Sequence, residues 1–467
     1  MIGCISIESL PRDFYKLKCL QSLSCAQCSK LKSFPEIKGN MRKLRKLDLS
    51  ETAITEVPSS IEHLNGVEDL DLSNCRKLVI LPESICNLGS LKTLKLKGFS
   101  KLKGFPSSIE HLTALQHLDL RSCLNLVSLP ESICTLSSLK TLQLDWCSRL
   151  EGFPEFTKEM ENLESIELSA TNINELPSSI GHLMALLYSD LSSCPIVSLP
   201  ESICNLSSLQ ALFLDNCLRL KGFPEIKVGD MKNLRTLDLR STGIKELPSS
   251  IGCLEALEFL DLSCCKNLVN LPESICNLSS LKTLYVFDCL NLHGLQVDLG
   301  RLQCLEDLML SHVSCEWGWL SGLGSLRSLV LSFCNLKQGV IRRDSFFSSL
   351  KRLYVRDCNL MEGGIPSDIW QLALVVFSVK HNHPTMEQDS SFHGNFGHHG
   401  SAAEDPNRNA HNKRKYPTEQ SLTEEPPHHK RFSGTQDLSQ VLGSTTLASP
   451  MLSFLFTGNS SSFLFLI

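Results

Sequence analysis

Cysteine is the residue type with the most evident reactive potential, and the chain carries 21 of them. Cys25-Ala26-Gln27-Cys28 has the C-x-x-C spacing of a zinc half-site or a redox dithiol. Both cysteines also fit a plainer pattern, Cys25 standing where a repeated leucine stands elsewhere and Cys28 filling a slot that recurs along the chain. The histidine pairs His398-His399 and His428-His429 supply metal-ligand chemistry, but they lie in a polar stretch with nothing to fix their geometry. Every serine, histidine and aspartate close to another falls in a repeated position, so no nucleophilic triad is assigned. No G-x-x-x-x-G-K-[ST] phosphate loop occurs. The sequence therefore assigns no catalytic, cofactor or metal residue, and the chain reads as a binding protein.

The elements that must position any functional residue are short and periodic. Aligned on L-x-x-L-x-L, the chain gives about sixteen units of mostly 23–25 residues, from the one opening its strand at Leu23 to one at Phe377. In 112–130, LTALQHLDLRSCLNLVSLP, the residues Leu112, Leu115, Leu118, Leu120, Leu126 and Leu129 point inward. An L-x-L step alternates sides, which makes it a strand with both leucines on the core face. Each unit then returns through Leu-Pro and a short helical segment. One unit cannot bury its single apolar edge, so stacking in register creates the core. The expected fold is an α/β solenoid, a leucine-rich-repeat horseshoe with a parallel concave sheet and a disordered C-terminal tail.

Most cysteines obey the same period. Ten share one slot, from Cys28 through Cys75 and Cys123 to Cys358, while Cys86, Cys134, Cys204 and Cys276 end copies of ESIC. Equal roles at equal spacing describe small buried side chains, hence reduced thiols in a reducing compartment. Thr52, Thr171 and Thr242 take the slot where units run T-x-I instead of C-x-x-L. A three-unit block recurs as well, 224–289 resembling 154–217 in the same order.

Residues 1–16 form a partial repeat without a polar cap, so the sequence reads as a fragment or as the remainder of a longer solenoid. The repeats occupy 17–382, a disordered polar tail 383–450, and a short apolar segment 451–467. Residues 1–14 lack the features of a signal peptide, and no apolar run reaches the length of a membrane span. Residence is expected in the cytoplasm, with Lys413-Arg414-Lys415 and Lys430-Arg431 offering a two-part nuclear import signal. A net charge of -5 gives no field favouring nucleic acid or an anionic membrane.

The informative surface is the concave face. Residues between the two strand leucines point away from the core and run from aspartates, expected as a solvated ladder satisfying turn backbone, to apolar side chains toward the C-terminal end. Phe213, Phe259, Tyr285, Phe287, Met309, Phe333 and Tyr354 are expected on one exposed strip, with Arg352 and Arg356 beside its far end. Aromatic anchors with forked donors are the residue types enriched at binding hot spots, so this strip is the expected protein-binding site. An open curved sheet offers a small molecule no closed pocket. Trp317 and Trp319 fall in a shortened unit and are expected to fill space there.

The units LPSSIEHL, LPESICNLSSLKTL and DLSSC, with alternating C-x-x-L and T-x-I-x-E-L-P variants, resemble the repeat domain of plant intracellular immune receptors of the TIR, nucleotide-binding, leucine-rich-repeat class. The resemblance covers about residues 8–382, and HPTMEQDSSFHGNFGHH followed by NKRKYPTEQ is similar to the ends of such receptors. It implies recognition of a pathogen protein and restraint of a nucleotide-binding switch. It carries neither ATP binding nor NAD cleavage onto any residue here, since the TIR and nucleotide-binding motifs are absent from the sequence. GGIPSDI, from Gly363 to Ile369, is instead similar to the extracellular plant repeat. The rival reading is a generic intracellular scaffold or adaptor solenoid.

Overall fold

The computed structural model describes residues 2–156, 160–292, 294–316, 322–337, 349–358 and 374–378. Trp317, Trp319, the GGIPSDI segment, both histidine pairs, the basic clusters and everything assigned to 383–467 lie outside the described residues.

Sixteen strands form one sheet in sequence order, every neighbouring pair parallel. Register is set by the repeated leucine: Leu23 pairs with Leu47, Leu47 with Leu70, and Leu237 with Leu260. A slip of one residue would turn every strand leucine outward, which is why the L-x-L pattern fixes it. The last strand departs from the sequence expectation. Leu353 pairs with Val375, and Phe377 pairs with Val355, so by register the sixteenth unit opens at Val375, with Phe377 two residues on. The run LALVVFSV offers several apolar residues in succession, and spacing alone picked the wrong one.

The core is a stack of aliphatic layers. Leu112, Leu115, Leu118, Leu120, Leu126 and Leu129 are all buried, as are most of their counterparts along the chain. Truncating one such leucine to alanine removes about 2–5 kcal/mol, because neighbouring layers cannot collapse into the gap. At the N-terminal end the cover is thinner, and Leu17 is 57% exposed.

Two devices turn the chain. The residue before the cysteine slot has a left-handed backbone in unit after unit, including Asn74 at φ 56°, Ala170 at 57° and Asn216 at 61°. The slot then stitches neighbouring units together. Cys147 Sγ donates to the Leu120 carbonyl at 3.1 Å, and Cys217 and Cys265 do the same to Leu191 and Leu239 at 3.1 Å each. Thr242 fits the slot because its hydroxyl donates to the Leu239 carbonyl of its own unit at 2.7 Å, leaving Cys265 of the next unit at 3.3 Å. The cysteines of the slot, from Cys28 to Cys358, are free thiols.

On the convex side the return strokes are 3-10 turns of three to five residues, such as Ser59–His63, Glu83–Asn87 and Ile251–Cys253. Among the described residues there is no α-helix, so the helical layer of the expected α/β solenoid is reduced to these turns. The Leu-Pro pair accounts for where they start: Pro58, Pro82 and Pro130 sit at their entry with φ of -65°, -70° and -68°, the value the ring imposes. With so few residues between proline and the next strand, there is room for one turn only.

Candidate functional site

The parallel register lines outward side chains into columns across the concave face. Adjacent strands are only about 4.8 Å apart, so each outward side chain covers its neighbours. At the strand entrance, two residues before the first strand leucine, the column alternates in sign. Glu68 lies between Arg45 at 3.3 Å and Lys92 at 2.8 Å, and Glu258 between Arg235 at 2.8 Å and Lys282 at 2.6 Å. Lys140 with Glu164 at 3.5 Å and Arg327 with Glu306 at 3.1 Å continue it. These pairs are partly exposed and worth at most about 1 kcal/mol each, but they give every acidic residue of the column a basic partner.

The aspartates between the strand leucines do satisfy turn backbone. Asp71 accepts from Ser73 N at 2.9 Å, Asp119 from Arg121 N at 3.0 Å and Asp238 from Arg240 N at 3.0 Å. They are not a uniformly solvated ladder, because Asp119, Asp190, Asp238 and Asp261 are buried on the crowded floor of the sheet while Asp48 and Asp71 are half-buried. Burial has electrostatic consequences in two places. Asp145 is pushed up to about 8, first by burial and then by the charge of Glu167, which burial raises in turn. Further on, Arg240 stands among three carboxylates, 3.5 Å from Asp215, 3.5 Å from Asp238 and 4.0 Å from Asp261. Burial, then Asp261, pushes Asp238 up to about 7, and burial raises Asp261 as well. Arg121 is committed to Asp119 by two bonds, at 2.9 and 2.6 Å.

The expected aromatic strip is not one strip. Across consecutive strands the register runs Phe213, Asp238, Asp261, Tyr285, Met309, Val330, Tyr354. Two aspartates therefore separate Phe213 from Tyr285, a gap of about 14 Å at the strand spacing. Phe213 packs instead on Tyr188, ring centroids 5.4 Å apart. Phe259 and Tyr285 meet edge to face at 5.8 Å, and Met309 and Tyr354 continue that patch with Val330 buried between them. Phe287 lies just beyond its strand, half-buried.

Nor is the patch simply exposed, since Phe213, Phe259, Tyr285, Phe287, Met309, Arg352, Tyr354 and Arg356 are all half-buried. The close strand spacing that lines them up also makes them cover one another. Burial pushes the Tyr285 phenol up to about 12. Phe333 has left the strand for the left-handed turn position, at φ 53°. There it is 37% exposed, stacked on His312 at 5.0 Å, with the Arg356 guanidinium 5.9 Å from its centroid. Arg352 contacts Asp307 at 3.4 Å across two strands.

Sequence reading missed Tyr188, His312, Arg121, Arg240 and Trp146, the last 58% exposed at a left-handed turn beside Asp145. Tyr188, His312 and Arg240 become visible when units are written one beneath another, because a partner of each lies one unit away, whereas Arg121 takes Asp119 two residues before it. Cys25 and Cys28 are both buried in the core, where burial pushes the Cys25 thiol up to about 11. Among the described residues no three His, Cys, Asp or Glu side chains converge to hold a metal ion. A shallow cavity of about 460 Å³ lies on the convex side, between Val228, Ser250, Gly252, Cys253 and Asn277. Among the described residues no helix is long and apolar enough to cross a membrane.

Comparison with known proteins agrees with this architecture. Residues 16–107 and 135–212 match a family described as "Disease resistance protein RPS4B-like, leucine-rich repeats", and 226–362 match a "Leucine-rich repeat region". The Arabidopsis thaliana protein SUPPRESSOR OF npr1-1, CONSTITUTIVE 1 is 33% identical over 315 residues, 68% of this chain and 19% of that protein. TMV resistance protein N of Nicotiana glutinosa is 32% identical over 227 residues, 48% of this chain and 19% of its own length. The chain thus spans about a fifth of the length of these relatives. Among solved structures, a leucine-rich-repeat protein of Leptospira interrogans superposes with a TM-score of 0.57 at 26% identity, covering 76% of this chain and 88% of that one. Repeat texture, register and relatives agree: the chain belongs to the leucine-rich-repeat region of plant disease resistance receptors of the TIR, nucleotide-binding, leucine-rich-repeat class.

Proposed function

We propose that this chain is the protein-recognition module of an intracellular plant immune receptor, binding a pathogen effector or a partner protein through its concave face. The observation that carries the reading is the half-buried patch of Phe259, Tyr285, Met309 and Tyr354, held in register by a parallel sheet. Rigid strands present these side chains at little ordering cost, which is what a recognition surface needs. The convex turns are near-copies of SSIEHL and ESICN and cannot discriminate between ligands. Recognition, not catalysis, is the task, and the expected place of action is the cytoplasm.

Replacing Phe259, Tyr285 and Phe287 together by alanine tests the reading. A panel of pathogen effector proteins and of receptor signalling domains is titrated against the purified chain and the variant. Affinity for whichever protein binds the wild type should fall by about 2 kcal/mol or more, roughly thirtyfold, with the far-ultraviolet spectrum unchanged. Unchanged affinity would place the interface elsewhere.

A further inference from the structure

We propose that the concave floor between the fifth and eleventh strands takes a lysine- or arginine-bearing segment of a partner protein. Its cationic side chains would seat among Asp145, Glu167, Asp215, Asp238 and Asp261, and its chain would lie against the Tyr188–Phe213 and Phe259–Tyr285 ring pairs. The inference rests on the concave face being the recognition surface and names the chemistry of what that face recognises.

The first support is a contrast in charge between neighbouring columns of one sheet. Over the same strands the entrance column balances itself, Lys140 against Glu164 and Arg235 against Glu258. The floor does not. From strand His117–Asp119 to strand Phe259–Asp261 its outward positions carry aspartate and glutamate repeatedly, and Arg121 and Arg240 are the cations. Arg121 is held by Asp119 in a two-bond clasp. Arg240 is shared among three carboxylates at 3.5–4.0 Å, longer than the roughly 2.7–2.9 Å of a direct charge-assisted bond. A second guanidinium or ammonium arriving from a partner would find carboxylates already gathered and already desolvated.

Burial sharpens the preference. Asp145, Glu167, Asp238 and Asp261 are all raised because water has been excluded from their charged forms. An incoming cation would restore the ionisation that burial suppresses, and the pair so formed is screened less than on an exposed surface. The ring pairs add the second half of the complementarity. Tyr188 and Phe213 lie within this stretch and Phe259 and Tyr285 close its far end, so a basic side chain leaving one carboxylate meets an aromatic ring. The floor is open and spans several strands, which suits a polypeptide.

The test uses the whole chain and a fluorescein-labelled hexa-arginine peptide, with a citrulline peptide of equal length as neutral probe, followed by anisotropy at pH 7.5. The arginine peptide should bind at least tenfold more tightly than the citrulline peptide. The variant Asp145→Asn/Glu167→Gln/Asp238→Asn should lose at least tenfold of that affinity. The control Glu131→Gln/Glu201→Gln/Glu273→Gln replaces the same number of carboxyls on the convex turns and should change it less than twofold. Equal losses in the two variants, or no preference for arginine, overturn the proposal. Displacement of the peptide by micromolar calcium chloride at unit stoichiometry would overturn it too, marking an ion site instead. Amide replacements relieve repulsion, so the concave variant should melt no lower than wild type, which separates lost binding from lost folding. Failure of the recognition reading itself is distinct: the aromatic triple variant would then keep its protein partner whatever the peptide does.

Discussion

Asp145 offers a stringent check on the electrostatics of the concave floor. Its carboxyl goes from an ordinary 3.8 to about 8, because burial and Glu167 disfavour its charge. A carboxyl raised in the folded chain binds its proton more tightly there than in the unfolded chain. Its contribution to stability is therefore complete below about pH 4 and is lost as the pH rises through 8. At 1.36 kcal/mol per unit the whole shift corresponds to about 6 kcal/mol. Much of that is shared with Glu167 and relaxed by side-chain movement at an effective dielectric near 20, so about 2 kcal/mol is the expected penalty at pH 8.5. Asp145→Asn mimics the protonated form and keeps the oxygen that accepts from Ser169 N at 3.1 Å. The variant should be about 2 kcal/mol more stable than wild type at pH 8.5, with the gain shrinking as the pH falls and gone by about pH 3.5. Thermal unfolding at the two pH values, followed by circular dichroism, measures this as a rise of a few degrees at the higher pH only. A stabilisation equal at both pH values, or a loss at pH 8.5, would refute the assignment of a buried, mutually repelling pair.

Three further outcomes follow from the turns and the slot. Ala170 holds a left-handed backbone at φ 57°, which costs an L-residue about 1–2 kcal/mol, so Ala170→Gly should stabilise by about 0.5–1 kcal/mol after the entropy of glycine is subtracted; a loss of stability in denaturant titration would contradict the backbone assigned there. Gly243→Ala would place a Cβ 2.4 Å from the Leu218 carbonyl oxygen and 3.0 Å from that of Leu220, both backbone, and should destabilise by about 1–3 kcal/mol. Thiol titration without reductant should find close to 21 free thiols in denaturant, while in the folded chain exposed Cys19 and Cys304 react first and the buried ladder, with Cys217 pushed up to about 12, stays silent. A denatured count several pairs lower would defeat the reduced-thiol reading.

The core was legible because its signal is local. L-x-L fixes which side faces inward, Leu-Pro fixes where the turn begins, and the cysteine or threonine slot fixes where the chain leaves the strand; Leu118, Pro130 and Cys123 each carry their role within one unit. It failed at Phe377, where several apolar residues in succession offer more than one register. The concave floor was only half legible. Which residues point outward follows from alternation, but what they touch depends on residues one unit away. Phe213 therefore looked like a neighbour of Tyr285 although it packs on Tyr188, and the aspartates looked solvated although the next strand covers them. Arg240 has its meaning only in three strands at once.

The same geometry separates what holds this solenoid together from what it displays. Leu237, Leu239 and Cys265 are buried and bond or pack along the stack, so any change there is paid for in stability. Asp238 and Arg240 alternate with those leucines on the same strand and the residues beside it, yet they face the other way and answer to a different set of neighbours. Exchanging an outward residue alters the field over about three units, since each column member lies beside two others at the strand spacing. It leaves the leucine layers as they were. Duplicating a block such as 154–217 as 224–289 copies the core intact and brings new outward neighbours together at the seams. Arg240 against Asp215 is a pairing of this kind, whereas Tyr188 against Phe213 lies within the block and recurs in its copy as Phe259 against Tyr285. A surface assembled from contacts between units can change its ligand by exchanging a few outward residues, without re-solving the packing of any one unit.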